Sequence, residues 1–204
     1  MTPAEAAQEM PVTGGDPRQL AAVDLGSNSF HLVIARVHGG EVAILDRVRD
    51  QVQLARGLDR KGRLDEPARE RALACLHRFG QRLHAIPQER VRAVGTNTLR
   101  AARKKHAGFL REAEEALGRP IEVVSGQEEA RLVYLGVAHS LPDEAGPRLV
   151  VDIGGGSTEC ILGERFEPLE RHSLKMGCVQ MTRKFFGDGK IDKARLEEAT
   201  LHAA

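Results

Sequence analysis

The sequence is poor in aromatic residues and has no excess of charge of either sign. Its 204 residues include no tryptophan, one tyrosine and six phenylalanines, which leaves few rings on which single-stranded nucleic acid could stack. Thirty Lys and Arg residues balance 29 Asp and Glu residues, so a polyanion could be bound only by a local patch of charge. We therefore expect no nucleic-acid partner.

Cysteine is scarce, and long apolar runs are missing. The three cysteines, Cys75, Cys160 and Cys178, form no C-x-x-C pair, which argues against a zinc ribbon or a disulfide framework and favours reduced thiols. No window reaches the ~18 apolar residues that a membrane span needs, and residues 1–16 lack the pattern of a secretion signal. These features predict a cytoplasmic protein without a transmembrane segment, and they leave peripheral membrane association open.

The hydrophobic pattern predicts an α/β fold in two parts. Residues 1–17 show no apolar period and are expected to be a flexible tail. The turn-forming stretch 142–147 is the clearest break, so the pattern predicts a first domain over 18–141 and a second over 147–204. Strands are predicted at 20–25, 30–37, 41–49, 91–94, 121–124, 149–153, 158–162 and 165–174, and helices at 65–84, 109–117, 125–140 and from about 99, 179 and 193.

An internal repeat connects the two parts. Residues 23–34 read VDLGSNSFHLVI, and residues 151–162 read VDIGGGSTECIL. Val, Asp, Gly and Ser coincide, and the apolar positions match. Two copies of strand, Asp, glycine-type turn and strand predict a duplicated architecture in which two hairpin loops face each other across a cleft.

The two turns are suited to binding phosphate. Gly, Ser and Asn allow consecutive backbone N–H groups to converge on one anion. Neither G-x-x-x-x-G-K-[ST] nor G-x-G-x-x-G occurs, so a Walker loop or a dinucleotide fingerprint does not explain these glycines. The alternative is that both are ordinary hairpin turns.

Two aspartates stand at the ends of the strands that precede these turns. Asp24 and Asp152 would be costly if they were buried without a partner, so we expect both to face the cleft. Magnesium is usually held by one or two carboxylates together with water and substrate phosphates, and Glu159 is a candidate further ligand. The alternative is that the aspartates cap the turns through Asx hydrogen bonds.

The segment Ser125-Gly126-Gln127-Glu128 has the form of a capping box, which gives Glu128 a structural role. Its neighbour Glu129 does not cap the same turn and could orient or deprotonate a water molecule in the cleft. The alternative is that Glu129 only complements the helix dipole.

Between residues 90 and 111 there are seven Lys or Arg residues and no acidic residue. Thr96, Thr98 and Arg100 follow a strand near a helix N-terminus, where a phosphate meets both N–H donors and a guanidinium. The other cations could follow an extended polyanion, or they could form a solvated helical face.

Five motifs together resemble the exopolyphosphatase and guanosine pentaphosphate phosphohydrolase family. They are AAVDLGSNSFHLVIARV at 21–37, VGTNTLRAAR at 94–103, VVSGQEEARLVYLGVAHSL at 123–141, LVVDIGGGSTE at 149–159 and KMGC at 175–178. The resemblance runs from about residue 18 to the end of the chain. It implies duplicated ribonuclease-H-like domains of the actin, sugar-kinase and heat-shock chaperone superfamily, with the active site in the cleft between them.

The resemblance also implies roles for individual residues. Glu129 matches the family's proposed catalytic base, and Asp152 and Glu159 match positions linked to Mg²⁺, to which the strand-end pattern adds Asp24. The implied phosphate-binding residues are Ser27 and Asn28 in the first loop, Gly155, Gly156, Ser157 and Thr158 in the second, and Thr96 with Arg100 beside them. Mg²⁺ is the expected cofactor, and K⁺ is a candidate activating ion.

The expected activity is release of terminal orthophosphate from long-chain inorganic polyphosphate. Guanosine pentaphosphate is the alternative substrate, since it also offers a terminal phosphoanhydride. A small-molecule kinase on the same superfamily fold and a non-catalytic polyanion-binding fragment are further alternatives. Family members are longer than 204 residues, so the second domain is expected to be incomplete here and the full-length form is expected to be a homodimer.

Overall fold

The computed structural model describes residue 16 and residues 18–59, 61–103, 107–142 and 146–204. The predicted flexible tail lies outside these residues except for Asp16. Residues 143–145, the centre of the predicted domain break, also lie outside them, as do Lys104 and Lys105 of the basic stretch.

The first half of the chain forms a five-stranded mixed sheet in the order β3-β2-β1-β4-β5. Its strands are β1 (Gln19–Leu25), β2 (Phe30–His38), β3 (Glu41–Asp50), β4 (Val91–Gly95) and β5 (Glu122–Val123). The first three strands are joined by hairpins and pair antiparallel, whereas β4 lies parallel to β1 and β5 parallel to β4. The carboxyl ends of β1 and β4 therefore meet at one edge of the sheet.

Three helices accompany this sheet: α1 (Glu66–Leu83), α2 (Asn97–Arg103) and α3 (Ala107–Leu117). Asp65 caps α1 because its Oδ1 accepts a hydrogen bond from the Ala68 N–H at 2.9 Å. The core between sheet and helices is apolar, with Leu25, Leu32 and Phe79 almost completely buried. Burial of such side chains supplies the main driving force for folding this half of the chain.

The second half of the chain builds a three-stranded antiparallel sheet in the order β6-β7-β8. Its strands are β6 (Pro147–Ile153), β7 (Thr158–Glu164) and β8 (Glu167–Leu174), followed by α5 (Cys178–Phe185) and α6 (Lys193–Ala203). Helix α4 (Gly126–Ser140), which the sequence-based division counts with the first domain, packs on this second sheet. Tyr134 of α4 and Ile161 of β7 are fully buried in the small core between them.

The predicted elements are present, with shifts at a few ends that have local causes. Helix α2 begins at Asn97 and not near Leu99, because the Arg100 N–H already donates to the Thr96 carbonyl at 2.9 Å. Strand β8 begins at Glu167 because Arg165 adopts φ of 51° in the preceding turn. Over the described ranges, no helix combines the length and apolar character needed to cross a bilayer.

Candidate active site

Two hairpin loops of the same design open the two sheets. The first joins β1 to β2, with Leu25 paired to Phe30, and the second joins β6 to β7, with Ile153 paired to Thr158. In each loop the first N–H donates to the carbonyl three residues on: Gly26 to Ser29 at 3.1 Å, and Gly154 to Ser157 at 2.9 Å. The sequence repeat therefore corresponds to a repeated loop geometry.

The two loops touch each other. A Cβ added at Gly155 would lie 3.2 Å from Ser27 Cβ, and one added at Gly156 would collide with the side-chain amide of Asn97. Ser27 is held from the other side, because Thr98 Oγ1 donates to Ser27 Oγ at 2.8 Å in a buried contact. The missing side chains of the second loop thus allow its backbone to approach the first loop and the start of α2 closely.

A cavity of about 390 Å³ lies against both loops. Nine of the twelve predicted site residues line it: Asp24, Ser27, Asn28, Thr96, Glu129, Asp152, Gly155, Gly156 and Ser157. They come from β1, β6, the two loops, the start of α2 and the start of α4. The remaining three, Arg100, Thr158 and Glu159, lie around it.

Asp24 and Asp152 both line the cavity, close enough for the charge of Asp152 to act on Asp24. Asp24 lines the cavity, and the protein atoms around its carboxyl group keep much of the solvent away from it. This desolvation raises the pKa of Asp24 to about 6, and the nearby charge of Asp152 contributes to the rise. Two carboxylates in this position suit a hard divalent cation. Among the described residues no three His, Cys, Asp or Glu side chains come close enough to hold an ion alone, so a cation here would also need oxygen atoms of water or substrate.

Glu159 lies in β7 directly opposite Asp152 in the sheet and is almost completely buried, with 1% of its surface exposed. Its Oε1 accepts a hydrogen bond from Ser173 Oγ at 2.8 Å. The negative charge of Glu159 acts on Glu129 and helps to raise the pKa of that residue.

Glu129 stands in the first turn of α4 with its side chain 15% exposed. Burial raises the pKa of its carboxyl to about 7. The hydrogen bond from Arg100 opposes this rise, and the charges of Glu159 and Asp24 add to it. A carboxyl that titrates near neutrality is suited to general acid–base chemistry.

Arg100, the predicted phosphate contact, pairs with Glu129 beside the cavity. Its Nη1 donates to Glu129 Oε2 at 2.7 Å and to the Val124 carbonyl at 2.9 Å. Thr158 turns away from the cavity, because its Oγ1 donates to the Met176 carbonyl at 2.6 Å. In this structure Arg100 therefore orients Glu129, and Thr158 secures the second loop.

Other residues of the cavity wall were not predicted. His31 and Arg49 line it, and they extend a row across the first sheet in which Asp24 pairs with His31 and His31 with Arg49. Burial and the charges of Arg49 and Arg47 lower the pKa of His31. The short turn between β1 and β2 sets the register of that hairpin and could have placed His31 beside Asp24. Placing Arg49 requires the pairing of β3 with β2, which the turn does not set.

In the described part of the basic stretch 90–111, the cations do not form an unbroken row that would be free to bind a polyanion. Arg92 Nη2 donates to Glu122 Oε2 at 2.9 Å, and Arg111 pairs with Glu115 at 3.4 Å. These contacts favour the interpretation of a solvated, paired surface for Arg92 and Arg111, whereas Arg100 belongs to the partly buried pair with Glu129.

Comparison with known proteins finds one family that matches most of the chain. The Ppx/GppA phosphatase family matches residues 33–203. A Haemophilus influenzae protein provisionally named an exopolyphosphatase is 46% identical over 185 residues, which cover 91% of this chain and 57% of that protein.

Two solved structures are similar over most of the chain. The Ppx/GppA enzyme of Aquifex aeolicus has a TM-score of 0.72 and 33% identity, over 89% of this chain and 60% of that one. An exopolyphosphatase from Cytophaga hutchinsonii has a TM-score of 0.76 and 32% identity, over 82% and 53% of the two chains.

The match and the fold define a phosphatase-family protein of the α/β class. The chain belongs to the Ppx/GppA phosphatase family. It spans 57% of the length of its Haemophilus relative.

Proposed function

We propose that this chain carries the active site of a Mg²⁺-dependent exopolyphosphatase, which releases terminal orthophosphate from long-chain inorganic polyphosphate. The observation that carries the proposal is one cavity bounded by both glycine-type loops, by Asp24 and Asp152, and by a Glu129 whose pKa is raised to about 7. Phosphoryl transfer needs mainly positioning and charge stabilisation, and this cavity offers groups for both.

The proposed division of roles follows from position. Backbone N–H groups of the loops, with Ser27, Asn28, Ser157 and Thr96, bind the phosphate oxygens. Glu129 accepts a proton from the attacking water while Arg100 holds its carboxylate in place. Asp24 and Asp152, with Glu159 behind them, would hold Mg²⁺, which when bound neutralises charge on the transferring phosphoryl oxygens.

The fold proposal goes with this assignment. The two hairpins of equal register support a duplicated ribonuclease-H-like, actin-like ATPase architecture with the site between the domains. The three-stranded sheet β6-β7-β8 and the helices that follow it would then belong to the second of these domains. The homodimeric full-length form, activation by K⁺ and the cytoplasmic location stay predictions.

A second cavity offers space and cations for phosphates beyond the terminal one. It measures about 630 Å³ and adjoins the first at Gly155 and Gly156, which line both. Lys175 and Lys184 also line it. A polyphosphate chain held at its terminal phosphate by the loops would continue toward these cations.

The test is orthophosphate release with Mg²⁺ from long-chain polyphosphate and from guanosine pentaphosphate, measured in parallel on the chain. Higher kcat/KM for polyphosphate supports the proposal, and the reverse preference identifies the pentaphosphatase. Formation of ADP from ATP with a small acceptor would identify a kinase. Polyphosphate binding without any release would identify a polyanion-binding fragment.

A further inference from the structure

Ser173 and Glu159 form a contact to which the proposed mechanism gives no role. Ser173 lies in β8 directly opposite Glu159 of β7, which in turn lies opposite Asp152 of β6. The Ser173 hydroxyl donates to Glu159 Oε1 at 2.8 Å. The Glu159 side chain is almost fully buried, so a fixed donor decides how this carboxylate is oriented.

Ser173 is itself held by the first residue of α4. A Cβ built on Gly126 would lie 2.5 Å from Ser173 Oγ and 2.6 Å from Ser173 Cβ. Since real Cβ atoms do not approach that closely, only glycine at 126 lets the helix start and the strand pack as they do. The helix that carries Glu129 therefore touches the hydroxyl that orients Glu159.

We infer that Ser173 is a positioning residue for the cation site: its hydroxyl fixes the orientation of the Glu159 carboxylate behind Asp152, and Gly126 keeps that hydroxyl in place. The inference rests on the proposed function, because it assigns Glu159 to the cation. Hydrogen-bond partners of metal-binding carboxylates set their orientation, and their loss typically weakens metal affinity or activity by about 10- to 100-fold.

The Ser173→Ala variant tests this assignment. We expect the Mg²⁺ concentration for half-maximal phosphate release to rise about 10- to 100-fold, with a smaller change in the KM for polyphosphate. Calorimetric titration with Mg²⁺ alone should show the same loss of affinity without any turnover. Ser140→Ala is the matched control, because it too removes a hydrogen-bonded serine hydroxyl, one that donates to the Gly136 carbonyl at an exposed helix end far along α4. It should leave both quantities unchanged.

A double variant separates positioning from general destabilisation. If Ser173 acts through Glu159, Ser173→Ala should have no further effect on Mg²⁺ affinity in a Glu159→Gln background. Ser173→Cys, which keeps a weak donor, should lie between the unaltered chain and Ser173→Ala. All variants are compared at temperatures well below their melting points, so partial unfolding does not affect the measured Mg²⁺ affinity.

The outcomes distinguish this inference from the function on which it rests. Unchanged Mg²⁺ affinity in Ser173→Ala, with a Mg²⁺-binding unaltered chain, overturns the positioning role and leaves the proposed function standing. Additive losses in the double variant also overturn it. An unaltered chain that binds no Mg²⁺ contradicts the proposed function, and the inference with it.

Discussion

Glu129 is placed among groups with opposing effects on its charge. Burial, Glu159 and Asp24 favour the protonated acid, while the Arg100 guanidinium favours the carboxylate. Glu128, one residue earlier, pairs with Arg131 at 2.7 Å, and that hydrogen bond lowers its pKa. Two adjacent glutamates of one helical turn therefore have opposite pKa shifts, and this difference separates the candidate base from the structural residue.

The pKa of Glu129 predicts an unusual dependence of stability on pH. Its folded-state pKa of about 7 lies above the ordinary value of 4.5, so the folded chain holds this proton more tightly and loses stability as pH rises between these values. Glu129→Gln should therefore raise the free energy of unfolding above pH 7, by on the order of 1–3 kcal/mol, and change it little at pH 4. Thermal or urea unfolding at both pH values checks this.

Glu128→Gln is the control for that experiment. Its pKa is lowered by Arg131, so its replacement should reduce stability slightly at pH 8 and not raise it. A stability gain of equal size in both variants would contradict the assigned environment of Glu129.

Arg100→Ala should change the pH profile of phosphate release. Without the guanidinium, the pKa of Glu129 rises further, so the rate should fall at neutral pH and recover partly as pH increases. Arg92→Ala removes a more exposed pair, with Glu122, and should leave the profile unchanged. A uniform loss of rate at every pH would show that Arg100 acts on the phosphate and not on Glu129.

At the scale of elements, the site depends on close packing between the second loop and the start of α2. The Asn97 side-chain amide occupies the space that a Cβ at Gly156 would need. Three N–H groups at the start of α5, those of Cys178, Val179 and Gln180, donate to carbonyls of Gly154 and Gly155 and hold the loop from the other side. The loop is therefore held from two sides.

Gly156→Ala should consequently displace the second loop and raise the KM for polyphosphate about 10-fold or more, because misplaced binding groups lose rate and affinity steeply. Gly136→Ala is the matched control. Nothing lies within 4 Å of the Cβ that it adds in the middle of α4, so it should leave KM unchanged and stabilise the chain by up to about 1 kcal/mol. Equal KM values for the two variants would contradict the proposed role of the loop.

How far the sequence could predict this site depends on how local each contact is. The two hairpins, the Ser125 cap and the start of α4 follow from residues within a few positions of each other, and the structure has them. Arg49 lies in β3 and Ser173 in β8, the third strand along the chain in each sheet, and no short sequence motif specifies how these strands pair with their neighbours. Arg100 and Glu129 lie in two different helices and are 29 residues apart in sequence, so local sequence patterns do not predict their pairing.

At the scale of the whole molecule, the cleft is formed by elements of both sheets. Asp24 and Thr96 come from the first sheet and its following helix, Asp152 comes from the second, and Glu129 comes from the helix packed on the second. A ligand that contacts both sides at once should therefore stabilise the fold as a whole.

Polyphosphate with Mg²⁺ should raise the melting temperature of the Glu129→Gln variant, in which turnover is suppressed. A ligand that binds only the folded chain stabilises it by about 2.7 kcal/mol at 100 times its Kd. The rise should shrink as salt increases, since the contacts are ionic. A melting temperature unaffected by polyphosphate at any salt concentration would contradict binding in the cleft.

The most direct test of the central claim is the rate of orthophosphate release from long-chain polyphosphate by the unaltered chain, by Glu129→Gln and by Glu128→Gln. Loss of a positioned general base lowers rates about 10²- to 10⁴-fold. The account predicts a loss of this size in Glu129→Gln and a rate close to that of the unaltered chain in Glu128→Gln. Equal rates in the unaltered chain and Glu129→Gln would contradict it.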